Sequence, residues 1–305
     1  MPRWLPALTL LALVATTLAG CAGDDDDEGA GVKVVATTAQ VGALAREVAG
    51  DTVRVHTLIP PGVDAHDYET STSDLKAIRE ATLLLRNGIG LDDFLDRAIA
   101  GAGGRKTVVT VTAGIELHPG AGEAPGASRD MDPHVWHDPA NAKVMVANIA
   151  EALALADPPN ADRYRANAAT YQATLDETDR QIRALIDGIP PPNRKLVTNH
   201  DAFGYFIRRY GLTFVGAVIP STSTQAEPSA KDIAALVDLI RKENVKAIFA
   251  ESSVDPKVAE QIAKDTGVRI VDDLYGDSLG EPGSGAETVH GMLLANARKI
   301  AEALK

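Results

Sequence analysis

Cysteine is almost absent. Cys21 is the only one in 305 residues, so no disulfide can form within the chain. Aromatic side chains are also few, with five Phe, six Tyr and two Trp, too little material for the broad apolar cleft that haem needs. Basic charge is in deficit: 30 Lys and Arg stand against 42 Asp and Glu, a net charge of −12. That argues against a nucleic-acid partner, because phosphate binding needs a basic face. It suits a cationic ligand, or simply a solvated acidic surface. No HExxH occurs, so the helix-borne signature of zinc hydrolases is missing. The apolar run from Leu5 to Leu18 is short for a membrane span.

That run follows the single cation Arg3 and has the shape of a secretory signal, residues 1–20. It ends in Leu18-Ala19-Gly20-Cys21, which resembles a bacterial lipobox, where the cysteine thiol takes a lipid. Cys21 is therefore the expected lipidation site. The mature chain would be extracytoplasmic, anchored to the bacterial membrane through that lipid alone. Loss of Arg3 leaves 29 basic and 42 acidic side chains, or −13. The next stretch, AGDDDDEGAG, repels itself and buries nothing, so residues 21–31 read as a solvated tether.

From residue 32, short β-branched runs alternate with helical patterns. VKVVATT, VRVHTL, TLLLR and TVVTVT predict four strands, and KLVTN, TFVGAVI, VKAIFA and VRIVDD four more. Segments such as PSAKDIAALVDLIRKEN, with Ile233, Leu236, Val237 and Ile240 at helical spacing, lie between them. The expected fold is α/β with two lobes, each a mainly parallel four-stranded sheet flanked by helices. Asp162 to Pro190 runs without internal proline or glycine until Gly188 and predicts one long rigid helix joining the lobes, about 40 Å at 1.5 Å per residue. The expected boundaries are 32–158 for the N-terminal lobe, 159–189 for the connecting helix and 190–305 for the C-terminal lobe.

Ligands of open parallel sheets sit beyond the carboxyl ends of the strands. His66, His134, His200 and Asp277 all follow predicted strands, two in each lobe, so they can converge on one cleft. Polar residues are common in loops, so placement alone leaves a metal site and ordinary loop chemistry both open. Within DMDPHVWHDP, Asp138-Pro139 is a helix start, with aspartate as N-cap and proline first in the helix. His134 and His137 precede that helix, so helical spacing does not put them on one face.

Seven stretches then resemble one family. VVATTAQVGALAREVAGD (34–51), PPGVDAHDYETSTSDLKAI (60–78), NGIGLDDFLD (87–96), DPHVWHDP (132–139), NHDAFGYFIRRYGL (199–212), FAESS (249–253) and LYGDSLG (274–280) are similar, in order, to the metal-binding lipoproteins of bacterial zinc and manganese ABC importers, the cluster A-I solute-binding proteins. The resemblance implies two α/β lobes joined by one long helix, and a metal held by His66, His134, His200 and Asp277. His137 falls where relatives often carry an apolar or another polar residue and is not carried over as a ligand. It is expected to stand beside the site with Trp136, Glu251 and Asp201; of these, Glu251 and Asp201 are candidates to orient ligating rings.

Three imidazoles and a carboxylate favour zinc, with manganese as the alternative cargo. Affinity is expected to fall as pH drops through about 6.5, where free imidazole titrates. The expected function is a monomeric receptor that hands the ion, unchanged, to an ABC permease, and not an enzyme. A zinc hydrolase would keep an open water position, which a fourth protein donor closes. A surface adhesin has no feature here to specify a partner. The loop 115–131 lacks the histidine-rich insert of many zinc-specific relatives, so His118 reads as a solvated bystander. His56 and His290 read as structural or surface residues.

Overall fold

Eight β-rich runs become eight strands in this computed structural model, which describes Met1 and residues 31–122 and 131–305. The signal segment after Met1, Cys21 and all of the tether but Gly31 lie outside the described residues, as do residues 123–130. In chain order the first half holds β1 (Val34–Ala36), α1 (Ala39–Ala49), β2 (Val55–Thr57), α2 (Thr72–Glu80), β3 (Leu83–Arg86), α3 (Phe94–Ala102), β4 (Thr107–Thr110) and α4 (Pro139–Ala156). After α5 (Ala161–Asp187) come β5 (Lys195–His200), α6 (Gly204–Tyr210), β6 (Thr213–Ile219), α7 (Ala230–Lys242), β7 (Ala247–Glu251), α8 (Lys257–Thr266), β8 (Arg269–Leu274) and α9 (Val289–Leu304). The predicted runs are longer than the strands: VKVVATT pairs only over Val34–Ala36.

Both sheets are parallel, in the orders β2-β1-β3-β4 and β6-β5-β7-β8. Strands β1, β3 and β7 are buried nearly throughout, as expected where helices cover both faces of a parallel sheet. The edge strand β4, TVVT, is largely exposed and keeps its threonines. In each sheet the strand order reverses between the two central strands, which marks where a ligand crevice opens.

Helix starts follow local chemistry. Asp138 caps α4 by accepting from the Ala140 amide, with Pro139 first in the helix, as its sequence predicts. Ser71 with Asp74, and Ser229 with Asp232, form reciprocal capping boxes at α2 and α7.

The long helix α5 has 27 residues. Its buried stripe, Tyr164, Ala168, Tyr171, Leu175, Thr178, Ile182 and Ile186, steps by three and four and packs against α4, α9 and α1. One continuous core contains Leu84 of β3, Leu44 of α1, Ile149 of α4, Leu175 of α5, Phe249 of β7 and Ile300 of α9. Side chains of both sheets therefore share a core, which ties the lobes together behind the crevice. A second, smaller core around Ile248, Leu236 and Ile262 lies within the C-terminal lobe. Among the described residues no helix is long and apolar enough to cross a membrane.

Candidate metal centre

Strand ends deliver the four predicted residues to one point. His66 lies in the loop after β2, His134 in the long connection after β4, His200 is the last residue of β5, and Asp277 follows β8. One donor atom from each lies within 4.8 Å of the other three. The three imidazoles stand edge to face, with centroids 5.2–5.8 Å apart. His134, His200 and Asp277 are buried, while His66 keeps 8% of its side chain exposed.

The orientation of these donors is informative. Asp277 Oδ1 is 3.0 Å from His134 Nε2, and its Oδ2 is 3.2 Å from His200 Nε2 and 3.4 Å from His66 Nε2. Even so, neither carboxylate oxygen has an aligned hydrogen bond. A buried carboxylate without hydrogen bonds is costly unless another charge meets it. The ring nitrogens also meet one another, with His134 Nε2 3.2 Å from His66 Nε2 and 3.5 Å from His200 Nε2, so three nitrogens and two oxygens converge on one point, an arrangement that a cation at their centre satisfies.

Two further carboxylates set the rings. Asp132 Oδ1 accepts from His134 Nδ1 at 2.6 Å and from the His134 backbone amide at 2.9 Å. Glu251 Oε1 lies 2.5 Å from His200 Nδ1, a short ion-pair contact that is not aligned as a straight hydrogen bond. Its Oε2 accepts from the Asp277 amide at 3.2 Å. Both carboxylates favour a proton on Nδ1 and leave Nε2 facing the other donors. The β7–β8 register slips between Phe249 and Glu251, where such an irregularity re-aims a side chain next to a site. Gly276 is needed here, because a Cβ would run into the Glu251 carboxylate.

These charges reset the ring pKa values. Burial alone would lower His134, but Asp277 and then Asp132 outweigh it and push it up to about 10. His200 is likewise buried, yet Glu251 and Asp277 raise it well above the ordinary imidazole value. Burial opposes ionisation of Asp277, and His134, His200 and His66 overcome it, holding the acid well below the usual carboxylate range. Affinity is expected to fall as pH drops through about 6.5, and the raised values of His134 and His200 extend that proton competition to higher pH.

The remaining predicted neighbours divide. Trp136 sits edge-on to His134 at 5.4 Å, and its indole N–H donates to the Gly276 carbonyl at 3.1 Å, so it walls the site and ties it to the Asp277 loop. Asp201 does not orient a ring. Its Oδ2 accepts from the Gly122 amide, and Glu251 takes the place beside His200. Successive side chains at the end of an extended strand point opposite ways, which turns Asp201 from the imidazole before it. Burial raises the Asp201 carboxyl to about 6.

His137 is wholly buried against Phe203, with centroids 4.7 Å apart, and neither ring nitrogen has a hydrogen-bond partner. The nearby Gly276 carbonyl receives its hydrogen bond from Trp136. Burial, followed by the charge on His134, pushes the His137 pKa down to about 3. His118 packs beside Tyr205, His56 is exposed in β2, and His290 contacts Tyr171, all outside the cluster.

Asp132 and Asp64 were not singled out from sequence, yet a repeated signal marks them. Each stands two residues before a histidine of the cluster and accepts that histidine's backbone amide, at 2.8 Å for His66 and 2.9 Å for His134. Asn87 adds a hydrogen bond from its side-chain amide to the Pro133 carbonyl, supporting the His134 loop.

A cavity of about 230 Å³ opens onto this centre between the lobes, lined by His66, Ile89, Met131, Pro133 and the segment around Thr222 and Gln225. His66 is the one member of the cluster that lines it. Glu251 is occupied with His200 and Asp277 and does not face an open position where it could serve as a general base.

Residues 34–303 match the family described as the periplasmic component A of the zinc-uptake complex. The manganese-binding lipoprotein MntA of Bacillus subtilis is 35% identical over 100% of both chains. The manganese ABC transporter substrate-binding lipoprotein PsaA of Streptococcus mitis is 31% identical over 98% of each. The periplasmic zinc-binding protein TroA from Treponema pallidum superposes with a TM-score of 0.82 at 31% identity, over 90% of this chain and 99% of that one. This chain belongs to the zinc- and manganese-binding cluster A-I family of ABC-transporter substrate-binding proteins, which carry a metal ion and are not enzymes.

Proposed function

We propose that this protein captures one zinc ion between its lobes through His66, His134, His200 and Asp277, and delivers it to an ABC import permease. The observation that carries the reading is the buried Asp277 carboxylate, 3.0–3.4 Å from three imidazole nitrogens and without one aligned hydrogen bond. The set of three nitrogens and one carboxylate suits a tetrahedral zinc shell, and manganese is lowest in the intrinsic affinity order for such donors. Manganese is the second reading, because relatives at 31% and 35% identity are named for it. The acceptors behind the rings, Asp132 and Glu251, support either ion.

The anchor belongs to the same reading. A lipid on Cys21, followed by the acidic tether, would hold a monomeric receptor at the outer side of the membrane that contains its permease. Lipoprotein relatives of nearly the same length support it.

Metal competition tests the proposal. Residues 31–305, stripped and then titrated, are expected to take one zinc per chain and to prefer it to equimolar manganese. His134→Ala should abolish tight binding and His137→Ala should keep it. Equal loss in both variants would make His137 a ligand and overturn the assignment.

A further inference from the structure

The loop that carries His66 is tied to the opposite lobe at two points, and both ties lie beside donors of the cluster. Thr224, in the segment after β6, donates its hydroxyl to Asp64 Oδ2 at 2.7 Å. The other oxygen of Asp64 accepts the His66 amide at 2.8 Å. One carboxylate therefore joins the backbone of His66 to the C-terminal lobe. The Gly62 amide donates to Ser278 Oγ at 2.5 Å, and Ser278 directly follows Asp277. Its hydroxyl proton is used on the Leu279 carbonyl at 3.0 Å, which leaves an oxygen lone pair for Gly62. Gly62 itself has φ +81°, a backbone that suits glycine, so the turn presents this amide without a side chain in the way.

We infer that Thr224 and Ser278 are positioning residues that latch the His66 loop across the cleft and set the rate at which the bound ion leaves. The inference rests on the metal-receptor reading and adds a kinetic control to it. Behind the crevice the lobes share one core and a 27-residue helix, so wide separation of the lobes would disrupt packing. The cavity at the cluster is lined by His66 and by the segment containing Thr222 and Gln225, on either side of the Thr224–Asp64 bond. His66 has an 8% exposed side chain, whereas those of His134, His200 and Asp277 are fully covered. An ion leaving through that cavity passes His66, whose ring is carried by the loop that Asp64 and Gly62 tie to the opposite lobe. Both cross-lobe hydrogen bonds break when that loop moves aside. Neither hydroxyl is a donor of the cluster, so removing them leaves the four ligands in place.

The test uses residues 31–305 loaded with zinc, a unit that is compact by itself from Val32 onward. Release into excess chelator is followed by stopped flow in the parent, Thr224→Val, Ser278→Ala, the double variant and Thr224→Ser. Each single loss should speed release about tenfold, since a hydrogen bond of this kind contributes about 1.4 kcal/mol, and the double variant about a hundredfold. Association should speed as well, because an entering ion breaks the same two bonds, and stoichiometry should stay at one ion per chain. Thr224→Ser, which keeps the hydroxyl, should release zinc at the parent rate. Parent-like release from the double variant overturns the latch, and so does Thr224→Ser accelerating as much as Thr224→Val. A parent that takes up no ion is a different failure, because it removes the receptor reading and the latch with it.

Discussion

Replacing His137 by leucine should stabilise the metal-free protein, and more so in acid. His137 is wholly buried, and neither ring nitrogen finds a partner. In the folded chain burial keeps the ring neutral down to about pH 3. In the unfolded chain it takes a proton below about 6.5. The unfolded state therefore binds a proton over this window that the folded state refuses, and stability falls as pH drops from about 6.5 towards 3. At pH 5 the penalty is about 1.5 pH units at 1.36 kcal/mol each, or about 2 kcal/mol. At pH 7 it is only about 0.2 kcal/mol. Leucine fills a similar volume without unsatisfied nitrogens, so at pH 7 the variant should equal the parent or exceed it by about 1 kcal/mol. Urea unfolding of stripped protein at pH 7 and pH 5 measures both numbers. The expected outcome is a gap between variant and parent that widens by about 2 kcal/mol in acid. A constant gap, or a variant less stable at both pH values, would show that His137 makes interactions the structure does not contain.

Two more outcomes follow from the charges around the cluster. Because carboxylates hold His134 and His200 protonated above the ordinary imidazole range, a divalent ion displaces two protons at neutral pH. Zinc affinity should therefore still be rising between pH 7 and 8, by up to about a hundredfold, and calorimetry in buffers of different ionisation enthalpy should count about two protons released; no proton release refutes it. Gly276→Ala should displace the Glu251 carboxylate from His200 and the Asp277 amide, lowering zinc affinity about 10- to 100-fold while circular dichroism stays parent-like; unchanged affinity would mean that Glu251 does not orient these ligands.

The strands were legible because parallel, doubly covered sheets demand uninterrupted apolar runs, and LLL of β3 and AIFA of β7 are such runs. Topology placed the four candidate donors at or after strand ends that open on the crevice, but it left ordinary loop chemistry open, and only the resemblance to the family singled them out as a ligand set. The choice between Glu251 and Asp201 was not, because both flank strand ends and only the side on which each chain emerges separates them. Asp132 and Asp64 could have been found from their shared position two residues before a histidine. Thr224 and Ser278 could not, since their partners lie in the other lobe and no local pattern records that approach. The isolation of His137 was equally hidden, because a histidine between two aspartates reads as polar until packing against Phe203 is known.

The most direct measurement is anomalous diffraction at the zinc edge from crystals of the zinc-loaded protein. One anomalous peak is expected between the lobes, with His66, His134 and His200 nitrogens at about 2.0–2.1 Å and an Asp277 oxygen at about 2.0–2.2 Å. A peak held by His137 or His118, or none in the cleft, would contradict the account.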